Sequence, residues 1–249
     1  MRFFSLEKFK LSFKFKYKTA KLPLFLSLLR WKSIDIYRFL KTPRNKRKLH
    51  FYGIRAFVGS VGGGKTMAMV DYLERMRNKY GDRIIIATNF YYLREDFHLD
   101  NWHPIIDDYD RPVLFCLDEI QNVFNSRNFR SFPPELSELL TQNRKGHGKQ
   151  ILWTAQVYTH VDKSFRDLTG LITTCKTFFG RYTRTATFDR LTFESMIDTS
   201  NLKNKSRHKP KKKHSFVQSD SLRGCYDSFQ FLKSVKSKEY LSLDERSNN

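Results

Sequence analysis

The sequence predicts an α/β domain on a mainly parallel central sheet, with basic extensions at both ends. Three observations predict it. Short apolar runs suited to strands (Phe51 to Val58, Ile84 to Thr88, Val113 to Leu117, Ile151 to Ala155) are interspersed with helical stretches. The runs at Ile84 and Val113 are continuously apolar rather than alternating, as in parallel strands buried on both faces. Between the first strand and the first helix the chain reads Gly59-Ser60-Val61-Gly62-Gly63-Gly64-Lys65-Thr66, which fits the phosphate-loop pattern G-x-x-x-x-G-K-[ST].

That octapeptide makes the fold a phosphate-loop (P-loop) NTPase. Its glycines let successive backbone N–H groups turn inward on phosphates with no Cβ in the way. Lys65 can reach the β- and γ-phosphates, and the Thr66 hydroxyl can ligate Mg²⁺. The following helix, apolar at Met67, Ala68, Met69, Val70, Tyr72, Leu73 and Met76, points its positive end at the anion. A chance Gly-rich turn would lack this strand–loop–helix order.

Along the chain, Phe9, Leu11, Phe13, Phe15 and Tyr17 alternate with Lys10, Ser12, Lys14, Lys16 and Lys18, giving one apolar and one cationic face if extended. From Pro23 to Leu40, Trp31, Ile34, Tyr37 and Phe39 among Arg30, Lys32 and Arg38 suit an amphipathic helix, and Thr42 to Lys48 reads as a basic linker. Within the core, Asn78, Gly81 and Asp82 end the first helix. Residues 95–112 are acidic and irregular. Pro133 and Pro134 open a helix that runs to about Gln142, before Gly146 and Gly148. Ser164 to Leu168 is a helical turn. Leu171 to Phe179 and Tyr182 to Phe188 read as two strands turning at Gly180. Asn201 to Ser215, dominated by Lys, is expected to be disordered, and Ser228 to Val235 to form a short helix. Three regions follow: an N-terminal arm (1–50), an ATPase domain (51–199) and a largely disordered tail (200–249).

Charge divides the same way. The chain of 249 residues has a net charge of +21. Residues 1–50 carry 15 Lys and Arg against 2 acids, residues 200–249 carry 12 against 5, and the centre is nearly neutral with 19 against 18. Basic arms suit a polyanion, either nucleic acid or an anionic membrane face. Cys116, Cys175 and Cys225 have no metal-ligand or disulfide spacing, which points to a reducing compartment. The seven histidines form no metal-binding motif. No apolar stretch reaches 18 residues, so no transmembrane helix is expected. The expected location is the cytoplasm, including the inner face of a membrane.

The second half of the site is the strand Val113 to Leu117 ending in Asp118-Glu119, 53 residues after Lys65. There Asp118 would hold Mg²⁺ and Glu119 would polarise the attacking water as a general base. Gln156, at the end of Trp153-Thr-Ala-Gln156, would lie beside the γ-phosphate and sense it. Arg144 and Arg166 flank that strand, and either could serve as an arginine finger on a neighbouring subunit's ATP.

GSVGGGKT, IIIATN, VLFCLDEIQNVF, RKGHGKQILWTAQ and VDKSFRDLTGLI together resemble the zonula occludens toxin-like family, which includes filamentous phage morphogenesis ATPases and belongs to the FtsK/HerA class of additional-strand P-loop ATPases. The resemblance spans roughly residues 53 to 190. It implies phosphate contacts from Gly64, Lys65 and Thr66, roles for Asp118 and Glu119 toward Mg²⁺ and water, and a sensor role for Gln156. It also implies ATP hydrolysis by a homo-oligomeric ring that moves DNA; the charge of the basic arms suits them to single-stranded DNA, with Phe and Tyr to stack on bases. Members commonly carry a membrane span after the ATPase domain. Here anchoring would fall to the N-terminal Phe/Lys segment on an anionic membrane, to a membrane-protein partner, or to nothing at all. An ATP-gated membrane module is the alternative from another class. A small-molecule kinase would need an acceptor pocket, and nothing in residues 95–112 names one.

Overall fold

The computed structural model describes residues 24–43, 49, 51–120, 138, 148–198 and 208–226. The chain divides into two compact units, Met1–Lys48 and Leu49–Asn249. Within the first, the Leu-rich segment after Pro23 forms helix α1 (Leu24–Lys41), with Arg38 and Lys41 in its last turn, where cations complement the helix dipole. Leu28, Leu29, Trp31, Ile36, Tyr37, Phe39 and Leu40 of α1 are exposed. The Phe9–Lys18 alternation, the helix after Pro133, Arg144 and the Ser228–Val235 segment lie outside the described residues.

The second unit is built on one eight-stranded sheet: β1 (Gly53–Val58), β2 (Ile85–Thr88), β3 (Phe97–His98), β4 (Val113–Leu117), β5 (Lys149–Ala155), β6 (Thr169–Phe178), β7 (Tyr182–Asp189) and β8 (Lys212–Val217). Their spatial order is β3-β2-β4-β5-β1-β6-β7-β8. The first six are parallel, and β7 and β8 are antiparallel additions at one edge. β5 lies between β1 and β4, so an additional strand separates the phosphate-loop strand from the Asp118 strand. Burial on both faces follows the period of two. Val113, Phe115 and Leu117 join one core cluster with Trp153 and Ile172, while Leu114 and Cys116 join the other with Leu73 and Ile86.

Four helices complete the described part of this unit: α2 (Lys65–Tyr80), α3 (Lys163–Leu168), α4 (Arg190–Asp198) and α5 (Asp220–Arg223). α2 packs Met69, Val70 and Leu73 into the second cluster and ends at Gly81. Asp162 caps α3 by accepting from Ser164 N. Arg77 of α2 is buried. It donates to the Gly81, Ile84 and Arg94 carbonyls at 3.1, 3.1 and 2.9 Å and to the Asp96 carboxylate. Asp96 also accepts from Ile86 N at 2.7 Å, so one partly buried ion pair ties the end of α2 to β2.

Two expectations need correction. Residues 212–217 are not disordered: Thr187 to Tyr182 pair with Lys212 to Val217 in register. The Lys-rich run conceals a period of two, in which His214 and Phe216 turn to the α2 side. There His214 Nε2 meets Asp71 at 3.0 Å and the two rings stack. Residues 95–112 are not wholly irregular, since Phe97–His98 adds an edge strand. α4, α5 and β8 had no counterpart in the sequence reading.

Candidate nucleotide-binding site

The loop Gly59 to Thr66 joins the end of β1 to the start of α2. Gly64 caps α2 without a side chain, leaving first-turn N–H groups toward the loop. Its φ of 80° and its neighbours both demand glycine: a Cβ there would stand 2.4 Å from Thr177 Oγ1. A Cβ on Gly59 would stand 2.6 Å from the Cys175 carbonyl oxygen. Strand β6 therefore forms a wall against the loop. Gln218, just past β8, closes it further: its Nε2 donates to Thr183 Oγ1 at 2.8 Å and would lie 3.3 Å from a Gly64 Cβ. Lys65 Nζ donates to the Ser60 carbonyl at 3.0 Å, folding the lysine back over its own loop.

The sheet brings the second half of the site to this loop. Thr66 Oγ1 lies 3.0 Å from both carboxylate oxygens of Asp118. Thr154 Oγ1 donates to Asp118 Oδ1 and accepts from Glu119 N at 2.9 Å. Asn89, after β2, accepts from Asp118 N at 2.7 Å and donates to the Asp118 carbonyl at 3.1 Å. Burial pushes the Asp118 carboxyl above the usual range, while the hydroxyls of Thr154 and Thr66 pull it back. Glu119 sits at φ 47°, a left-handed conformation that costs a non-glycine residue about 1–2 kcal/mol and is held here by the bond to Thr154. Gln156 Nε2 donates to Glu119 Oε1 at 3.1 Å.

Lys65, Thr66, Asp118, Glu119 and Gln156 are thus neighbours. Arg166 is engaged within its own chain: its Nε donates to the Val161 carbonyl at 3.1 Å and its guanidinium lies 5.3 Å from the Tyr158 ring centre. The sequence reading gave Thr154, Asn89, Cys175 and Gln218 no role at this site. Thr154 and Asn89 stand at strand ends beside the acids, which was the available signal. Cys175 and Gln218 carried none.

No protein-family model and no curated protein matches the chain. Among solved structures it is similar to the N-terminal domain of the zonular occludens toxin of Neisseria meningitidis, at 17% identity and TM-score 0.46 over 71% of this chain and 100% of that one. It is also similar to B204, the DNA-packaging ATPase of Sulfolobus turreted icosahedral virus, at 11% identity and TM-score 0.42 over 58% and 95%. A third is the Legionella pneumophila ATPase DotB, at 11% identity and TM-score 0.34 over 80% and 65%.

The donors suit Mg²⁺, a hard cation that takes one or two protein oxygens, phosphate oxygens and water. A hydroxyl and a carboxylate, Thr66 and Asp118, share one spot at the mouth of the loop. Among the described residues no cluster of three or more His, Cys, Asp or Glu offers a competing centre.

Proposed function

We propose that the protein is an ATP-hydrolysing motor that moves DNA in phage or virion assembly, or in export from a plasmid or mobile element. The observation that carries this reading is the Thr66–Asp118–Thr154–Glu119 chain of hydrogen bonds at the ends of β1, β4 and β5. It joins the Thr66 hydroxyl, the Asp118 carboxylate and the Glu119 backbone beside the loop, which supports reading Thr66 and Asp118 as Mg²⁺ ligands and Glu119 as the general base. The loop N–H groups and Lys65 bind the phosphates, Lys65 exchanging the Ser60 carbonyl for phosphate oxygens. Thr66 and Asp118 would hold Mg²⁺, which when bound neutralises phosphate charge. Glu119 accepts the proton of the attacking water, and Gln156, bonded to Glu119, reports whether the γ-phosphate is present. A ring fits this chemistry because a finger arginine, Arg144 or Arg166, would come from the next subunit.

The test is ATP turnover by the full chain with and without DNA. DNA-stimulated turnover that is lost in Lys65→Ala and Glu119→Gln is expected. Turnover indifferent to both changes would sink the assignment.

A second reading concerns the first unit. α1 exposes a run of large apolar side chains beside Arg30, Lys32 and Arg38, as helices lying in a membrane interface do. Among the described residues no helix is long and apolar enough to cross a membrane. Flotation of the full chain with anionic liposomes tests the reading, and Trp31→Ser with Leu28→Ser is expected to abolish flotation.

A further inference from the structure

Beyond the nucleotide site, the sheet extends past its cover. On the face that carries Ile172 and Phe188, helix α4 closes over β6 and β7 with Phe193. Farther along β6 the same face turns to solvent. Strand register shows which side chains share it: Lys176 pairs with Arg184 and Arg184 with Ser215, Phe178 pairs with Tyr182, and Lys213 pairs with Ala186. Together they line a concavity of about 760 Å³.

Its chemistry is one-sided. Lys176, Arg184 and Lys213 are exposed, and no Asp or Glu lines the concavity. Elsewhere in this unit cations are neutralised locally, as in Arg190–Asp167, Arg181–Asp220 and Lys211–Asp189. None of the three platform cations has an acidic partner among the described residues. Lys176 and Arg184 stand directly opposite each other, about 5 Å apart across strands, and Lys213 lies diagonal to Arg184, about 7–8 Å away, a spacing that tracks a polyanion better than a single small anion. Next to Lys176 and Arg184, on the side away from Lys213, lie two rings. Phe178 and Tyr182 have centroids 6.4 Å apart at 39°, so they do not stack on each other, and Tyr182 remains 39% exposed. Lys176 Nζ lies 5.1 Å from the Phe178 ring centre.

We propose that the open face of β6, β7 and β8 is a binding platform for single-stranded nucleic acid. Lys176, Arg184 and Lys213 contact phosphates, and Tyr182 and Phe178 stack on unpaired bases. Rings stack on bases only where strands are unpaired, so the platform selects single strands over duplex. A lipid surface is a poorer match, because the cations line a concave sheet face rather than the rim of an apolar one. The platform deepens the motor reading by placing the polymer on the domain itself. β6 also carries Cys175 against Gly59, so one strand touches both polymer and phosphate loop.

The experiment measures binding of a labelled oligothymidylate to the full chain by fluorescence anisotropy over a range of salt. In the combined Lys176→Ala, Arg184→Ala, Lys213→Ala variant, affinity is expected to fall at least ~10-fold, and the slope of log K against log salt to shrink by about 2, as for three lost phosphate contacts on a single strand. Tyr182→Ser is expected to weaken binding ~5-fold or more, while Tyr182→Phe keeps it. ATP-analogue binding by each variant reports folding. Should the triple variant fail that control, Arg184→Ala and Lys213→Ala singly decide, each expected to reduce the slope by about 0.7. Lys65→Ala is expected to leave oligonucleotide binding intact, which separates failure of the platform from failure of the motor reading. Unchanged affinity and slope in the folded triple variant would overturn the proposal. So would loss of binding to phosphatidylserine vesicles with oligonucleotide binding unaltered.

Discussion

Replacing Thr154 by Val tests the support of the two acids directly. Thr154 is fully buried, and Val matches its shape without the hydroxyl. The change strips one donor from Asp118 and leaves Glu119 N without its acceptor. Each loss costs about 1–3 kcal/mol, or roughly 2–6 kcal/mol together. For a chain of this size that lowers Tm by roughly 4–24 °C. Turnover falls as well. Glu119 is held at φ 47° by this bond, and once released it relaxes toward ordinary backbone and carries its carboxylate off target. A displacement of about 1 Å at a reacting group costs about 100-fold in rate. ATP affinity changes less, because the phosphate contacts lie on Gly64, Lys65 and Thr66. Thermal unfolding and steady-state hydrolysis measure the two effects, with Thr154→Ser, which keeps the hydroxyl, as the near-neutral control. Thr154→Val with Tm within about 1 °C of wild type and undiminished turnover would refute the reasoning.

Gly64→Ala is expected to abolish nucleotide binding, since a Cβ there meets Thr177 Oγ1 at 2.4 Å on a backbone at φ 80°; titration with a fluorescent ATP analogue checks it. Arg77→Met leaves the partly exposed Asp96 carboxylate and three carbonyls without its guanidinium and is expected to cost about 1–3 kcal/mol in chemical denaturation, partly recovered by adding Asp96→Asn. Burial pushes the Cys175 thiol up to about 12, with Lys65 pulling slightly the other way. An unfolded thiol ionises near about 8.5. The folded state keeps a proton that the unfolded state releases, so stability is lost as pH rises from about 8.5 to about 12. Cys175→Ala is expected to flatten that part of the stability profile, and Cys175 in the folded chain to resist iodoacetamide at pH near 8.

The parallel core was legible because its strands are buried on both faces, which leaves unbroken apolar runs such as Val113 to Leu117. The loop was legible because phosphate binding restricts residue type at each of several positions. The edge of the sheet was not. β8 has one face to solvent and a sequence dominated by Lys, so its partnership with β7 shows only in the alternation of His214 and Phe216, which composition overwhelms. Support for the site was hidden for a different reason. Thr154 and Asn89 act through ordinary hydroxyl and amide groups, whose meaning depends on β5 lying between β1 and β4. Gln218 reaches Gly64 only through the fold, across roughly 150 residues of chain.

That last closure has a consequence for synthesis. Gln218 packs beside Gly64, yet chains grow N-terminus first at about 5–20 residues per second. The phosphate loop therefore leaves the ribosome roughly ten to thirty seconds before the strand that walls it in. A nascent chain that has just completed β5 holds Lys65, Asp118 and Glu119 but neither Cys175 nor Gln218. Competence to grip a nucleotide thus arrives late, with the last described strand, and a truncated product would be an incomplete engine rather than a slow one.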